Sequence, residues 1–157
     1  YIEVHDPAMT EAALPLRRDT PLTSSRTSYE WVSGHIMSDT YIPEDRGALY
    51  ALKNRQGDCT EFAYLLTALN RANHIPARAM GGYVVKGNAI VKASDYHNWT
   101  EFYDAGAWHI ADAQKKNFMQ NQSDYIAFRI IAADDGGPLQ HAHRFRYLGE
   151  GLSVLME

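Results

Sequence analysis

Gly57-Asp58-Cys59-Thr60-Glu61-Phe62-Ala63-Tyr64-Leu65-Leu66-Thr67-Ala68-Leu69-Asn70-Arg71-Ala72-Asn73-His74-Ile75-Pro76 is the stretch on which the fold of this chain turns. Phe62, Leu65, Leu66 and Leu69 fall at i, i+3, i+4 and i+7, with Ala63 and Ala72 beside them, which predicts a helix with one buried stripe. Asp58 followed three residues later by Glu61 reads as a capping box at its start. Asn73 is the expected left-handed residue at its end, and Pro76 blocks continuation. Cys59 thereby becomes the first residue of the best helix in the chain. Unpaired N–H groups and the positive end of the helix dipole favour thiolate over thiol there. Gly57 leaves room for a substrate backbone, and the Cys59 amide is a candidate oxyanion donor.

Upstream, Pro7, Pro15 and Pro21 mark residues 1–23 as an irregular lead-in with one short helix near Met9–Leu14. Ser24 or Ser25 is expected to cap a helix carrying Tyr29, Val32 and Ile36, weakened by Gly34. Ala48, Leu49, Ala51 and Leu52 predict a short helix before Gly57.

Downstream the period changes to two. Ala77–Lys86 reads as a strand with Gly81-Gly82 as a bulge or close approach. Tyr96–Tyr103 and Ala107–Asp112 read as an aromatic-rich hairpin around Asp104-Ala105-Gly106. Tyr125–Ala132 is a further strand, Asp134–Pro138 a turn, Arg144–Leu148 a last strand, and 149–157 a loose tail. Helices first and strands later predict an α+β domain over 24–148 with an antiparallel sheet.

The hairpin tests which histidine serves Cys59. A thiolate nucleophile needs an imidazole to share its proton, and the imidazole needs an orienting acceptor. If Tyr103 pairs with Trp108, Trp99 faces Asp112 and His97 lies diagonally across from Asp112 on the same face. A three-residue loop pairing Tyr103 with Ala107 would put Asp112 on the other face.

Composition bounds the remaining classes. The 157 residues fit one domain, and a formal charge of −4 with a pI near 6.0 speaks against a general nucleic-acid binder. No stretch approaches the roughly 20 apolar residues that span a bilayer. The single cysteine excludes an internal disulfide and a four-thiolate zinc site. His141-Ala-His143 reads as a solvated turn, because no nearby Cys, Asp or Glu pattern completes a zinc set; a metal-dependent hydrolase using His109, His141 and His143 would require bound metal. Asp134-Asp135-Gly136-Gly137 lacks the spaced oxygen ligands of a calcium loop. The first residue is Tyr1, so a processed form or a domain of a larger polypeptide is expected.

Gly-Asp-Cys59-Thr-Glu-Phe-Ala, Leu-Leu-Thr-Ala-Leu-Asn-Arg-Ala, Ile-Pro-Ala-Arg and Gly-Tyr83 resemble the core of the transglutaminase-like superfamily. His97-Asn-Trp-Thr-Glu-Phe and Trp108-His-Ile-Ala-Asp112-Ala resemble its second and third motifs, and Tyr29-Glu-Trp-Val the helix that leads into the core. The resemblance runs over about residues 24–118. It implies a papain-like α+β fold, with the cysteine helix on an antiparallel sheet and a Cys59–His97–Asp112 triad. It further implies a thiolate that attacks amide carbonyls and passes the acyl group to water or to an amine. Some members have lost the triad and only bind, so a non-catalytic peptide-binding or scaffold module is the alternative.

The chain has no match to the flanking β domains of the animal enzymes, so their calcium dependence is not expected. It also lacks the paired zinc cysteines of the peptide N-glycanase branch. No cofactor and no metal are expected. The expected partner is a protein or peptide substrate, with no nucleic acid and no membrane insertion. Gln56 and Asn98 are candidate second oxyanion donors, and Tyr83, Tyr96 and Trp99 candidate cleft walls. Trp31 is expected to pack. A bacterial cytoplasm and a periplasm are both open as compartments.

Overall fold

A computed structural model describes residues 1–41, 44–131 and 151–156. Four helices precede the main sheet: α1 (Pro7–Ala13), α2 (Pro21–His35), α3 (Ala48–Asn54) and α4 (Cys59–Ala72). Short strands β1 (Met37–Ser38) and β2 (Gln56–Gly57) pair in parallel between them. There follow β3 (Ala77–Val84), β4 (Ala89–Val91), β5 (His97–Asp104), β6 (Ala107–Asp112), β7 (Asn117–Phe118), β8 (Tyr125–Ile131) and β9 (Leu152–Val154). The main sheet runs β7-β6-β5-β3-β8 with every pairing antiparallel, and β4 pairs with β9 in a separate ribbon. This is an α+β fold, with α4 packed on an antiparallel sheet.

The central helix forms as its sequence dictates. Asp58 Oδ1 accepts from the Thr60 N–H at 2.8 Å, and Glu61 Oε2 accepts from the Asp58 N–H at 3.1 Å, closing the capping box. Leu65, Leu66 and Leu69 are fully buried, each contributing about 2 kcal/mol of apolar burial. The left-handed residue after the helix is His74 (φ 62°), not Asn73, which keeps a right-handed backbone as the cap itself. The His74 N–H bonds the Arg71 carbonyl and the Ile75 N–H the Asn70 carbonyl, the paired bonds of a Schellman ending.

Sheet and helix are joined by polar contacts inside the core. Asn98 Nδ2 donates to Thr60 Oγ1 at 3.0 Å, Thr100 Oγ1 donates to the Ala63 carbonyl at 2.9 Å, and it meets Thr67 Oγ1 at 3.0 Å. Asn98 and Thr100 therefore face α4. By the period of two, His97 and Trp99 take the opposite face.

Four further expectations are corrected. The lead-in is largely helical: α1 is capped by Asp6, and Met9, Ala13 and Leu16 lie in the main core. The cap of α2 is Thr20, in a reciprocal box with Thr23, because Pro21 suits the first helical position and starts the helix a turn early. β5 begins at His97, with Tyr96 just outside it. The tail is not loose throughout, since 152–154 pairs with β4. The register of β3 against β8 shifts between Gly81 and Gly82, whose partners are Arg129 and Ala127, so the extra residue is Phe128 and the bulge lies on β8 opposite the glycines. Ala132, Asp134–Pro138, His141, His143 and Arg144–Leu148 lie outside the described residues.

Candidate active site

The hairpin takes the first of the two registers. Tyr103 pairs with Trp108 and Asp104 with Ala107, and both turn residues, Ala105 (φ 48°) and Gly106 (φ 87°), have the positive φ of a two-residue turn of that type. Asp112 therefore shares a face with His97. His97 Nε2 donates to Asp112 Oδ2 at 2.7 Å. A carboxylate only accepts, so the Nε2 nitrogen carries the proton and Nδ1 is the basic nitrogen of the neutral ring. Asp112 is 1% exposed, which shields this contact from water.

A cleft of about 710 Å³ opens where α4 and β5 begin. Cys59, His97 and Asn98 line it together with Asp58, Tyr96 and Val84. Cys59 is partly exposed at the first position of α4, where no intrahelical carbonyl reaches its amide. Three carboxylates, Asp39, Asp58 and Asp95, and one ammonium, Lys115, also border the cleft.

The loop that presents Cys59 is fixed from below. Glu61, 1% exposed, accepts from the Arg46 N–H at 2.9 Å through Oε1 and stands 3.5 Å from the Arg46 guanidinium. Burial raises its carboxyl above the ordinary carboxylate range, and the nearby Asp58 charge adds to this, while the donors from Arg46 and Asp58 pull the other way.

Other expected site residues are placed as follows. Tyr96 lines the cleft and meets Tyr83 edge-on at 5.7 Å. Asn98 lines it too, with its amide nitrogen committed to Thr60. Tyr83 and Trp99 do not form the cleft wall. Tyr83 is fully buried, against Val85 and Val91, and Trp99 is 1% exposed between Met80 and Ile110. Gln56 is outside the cleft lining, and its amide donates to the Tyr50 hydroxyl at 2.9 Å. Trp31 packs at the margin of the core, stacked on His35 and under the Arg55 guanidinium.

The sequence reading missed the residues that hold Asp112. The Lys115 N–H donates to Asp112 Oδ1 at 3.0 Å, and the Tyr125 hydroxyl donates to Oδ2 at 3.0 Å. Tyr125 carried only a strand signal, and nothing local marks it as a partner of Asp112.

Comparison with known proteins identifies the family and the fold. The model of the transglutaminase-like superfamily core matches residues 11–113. No curated protein matches. A solved structure described as "a Putative Cysteine Protease from Cytophaga hutchinsonii" superposes with a TM-score of 0.68 at 22% identity, covering 93% of this chain and 47% of that one. The periplasmic domain of TgpA from Pseudomonas aeruginosa superposes with a TM-score of 0.54 at 24% identity, covering 69% of this chain and 42% of that one. A structure described as a TGase gives 0.51 at 15% identity, with 78% and 34% covered. The chain thus spans less than half the length of each of these structures. With the matched core spanning most of the chain and its fold shared with these structures, the chain belongs to the transglutaminase-like superfamily.

Proposed function

We propose that this domain is a cysteine acyl-transfer enzyme that opens amide bonds of a peptide or of a glutaminyl side chain. The observation that carries the reading is the buried 2.7 Å His97–Asp112 bond beside a cleft that Cys59 also lines. Cys59 gives its thiol proton to His97 Nδ1, and the thiolate sulfur attacks the carbonyl carbon. The imidazolium returns that proton to the leaving nitrogen as the C–N bond breaks, leaving a thioester. His97 next takes a proton from the incoming water or amine, whose lone pair forms the new bond to the acyl carbon. The thiolate then leaves. Asp112 holds the ring and its charge throughout, and the Cys59 amide steadies the oxyanion.

The test is the pH dependence of Cys59 alkylation by iodoacetamide in wild type and His97→Ala. Reaction is expected to persist well below the usual thiol pKa of about 8.5 in wild type and to be lost in the variant. Reaction only above that pH, unchanged in His97→Ala, would mean an unassembled pair and a binding module in place of an enzyme. Glutaminyl peptides with and without a primary amine then separate the acceptors by product mass.

A further inference from the structure

Asp112 is held by a directed polar chain that the proposed mechanism does not use. Asn117 Oδ1 accepts from the Gln120 N–H at 3.1 Å, and Asn117 Nδ2 donates to the Gln120 carbonyl at 2.9 Å. These two bonds fix which end of the amide is nitrogen. That nitrogen also reaches the Tyr125 hydroxyl at 3.2 Å, and an amide nitrogen only donates. The hydroxyl oxygen therefore accepts from Asn117, and its own proton is left for Asp112 Oδ2, 3.0 Å away. His97 binds the same oxygen.

We propose that Tyr125 is a positioning residue that sets how strongly Asp112 draws on His97. The inference rests on the acyl-transfer reading for its catalytic meaning, though the coupling itself is a property of the fold. Two donors share one carboxylate oxygen. The hydroxyl bond withdraws charge from Oδ2 and so weakens the hold of Asp112 on the protonated imidazole. It also keeps the carboxylate from turning, with the Lys115 N–H on the other oxygen as the second anchor. The Tyr125 ring packs edge-on against Trp99 at 5.1 Å, so the hydroxyl cannot swing away cheaply. Burial, and next the Asp112 charge, raise the Tyr125 phenol, which stays a donor through the working pH range.

The charged and titratable groups around this pair come from several elements. Tyr29 of α2 and Tyr125 with Asp124 at the start of β8 face Asp112 or its partner. Lys115 follows Asp112 on the chain, and Asp39, Asp58, Cys59 and Asp95 border the cleft that His97 lines. Tyr125→Phe removes a single oxygen and leaves all of these in place.

The deciding experiment follows the His97 ring by NMR across pH in the intact protein and in Tyr125→Phe. The midpoint is expected to move to higher pH by about half a unit to one unit in the variant, because Asp112 then interacts with His97 alone. Asn117→Ala frees the hydroxyl to turn and is expected to shift it the same way by less. Should the phenylalanine variant lose the fold, this second variant carries the test. Superimposable titrations would overturn the proposal. If the shift appears but no Cys59-dependent turnover is found, the acyl-transfer reading fails while the coupling stands. If turnover is found without a shift, the reverse holds.

Discussion

Glu61 combines two tasks, capping α4 and sitting buried under the loop that carries Cys59, and the second task makes it pH-dependent. Burial raises its carboxyl despite the Arg46 contact, so the folded chain holds that proton more tightly than the unfolded one. The favourable contribution is therefore complete below the ordinary Glu value of about 4.3 and is lost as pH rises through the raised folded value. Glu61→Gln has no proton to lose, and a glutamine still caps at this position. Measured by urea unfolding, wild type is expected to lose ground to Glu61→Gln as pH rises above about 4.3. A gap moving in favour of wild type over that window would refute this account. At this scale the sequence was half legible. The Asp58-to-Glu61 spacing announced the cap, because capping is local. The Arg46 partner was silent, because it lies 15 residues upstream and meets Glu61 only after folding. Tyr125 was silent for the same reason.

Among the elements, β3 is paired on both sides, with β5 and β8, and its two adjacent glycines serve different neighbours. A Cβ on Gly81 would run into the Tyr96 hydroxyl, the end of a side chain, with Asn98 Oδ1 at 3.0 Å. A Cβ on Gly82 would run into the Ile126 backbone carbonyl, with the Trp99 ring at 3.0 Å. A tyrosine can yield, whereas a paired strand cannot. Gly82→Ala is therefore expected to cost about 3 kcal/mol or more by forcing β3 from β8, with Gly81→Ala costing nearer 1 kcal/mol. Because Tyr96 lines the cleft, Gly81→Ala is also expected to raise KM, where Gly82→Ala mainly lowers the denaturation midpoint. Equal destabilisation by the two would show that the strand, not its neighbours, sets the limit. The glycine pair was readable from sequence as a bulge or a close approach, and it is a close approach at both positions. The hairpin that brings Asp112 to His97 was readable too, with its register one of two. What alternation could not give was which sheet face is covered. Tyr83 and Trp99 sit on strands near the cleft, yet both are packed among apolar side chains away from it.

At the scale of the molecule, the cleft has one wall built on the main core and another built on a small satellite core. Tyr83, Val85 and Val91 form that satellite, with Tyr96, Ile126, Leu152 and Val154 packed against it. The last two come from β9, three residues that no periodicity could reveal and whose partner β4 lies some sixty positions earlier. The ribbon is tied further at Met156, whose N–H donates to Asn88 Oδ1 at 2.8 Å and whose sulfur accepts from the Gly87 N–H at 3.2 Å. Segments held by a few apolar contacts open more readily than the core. Val154→Asp puts a charge into the satellite while touching nothing in α4. Amide exchange at Ile90 and Val91 is expected to quicken roughly ten-fold, matching a local loss of about 1–2 kcal/mol. Exchange in α4 and in the β3–β5 ladder should stay unchanged, and KM should rise as Tyr96 loses its backing, with the His97 titration unmoved. Faster exchange throughout α4 would instead mean that the ribbon and the main core unfold as one unit. The cleft wall at Tyr96 would then be as rigid as the helix that presents Cys59.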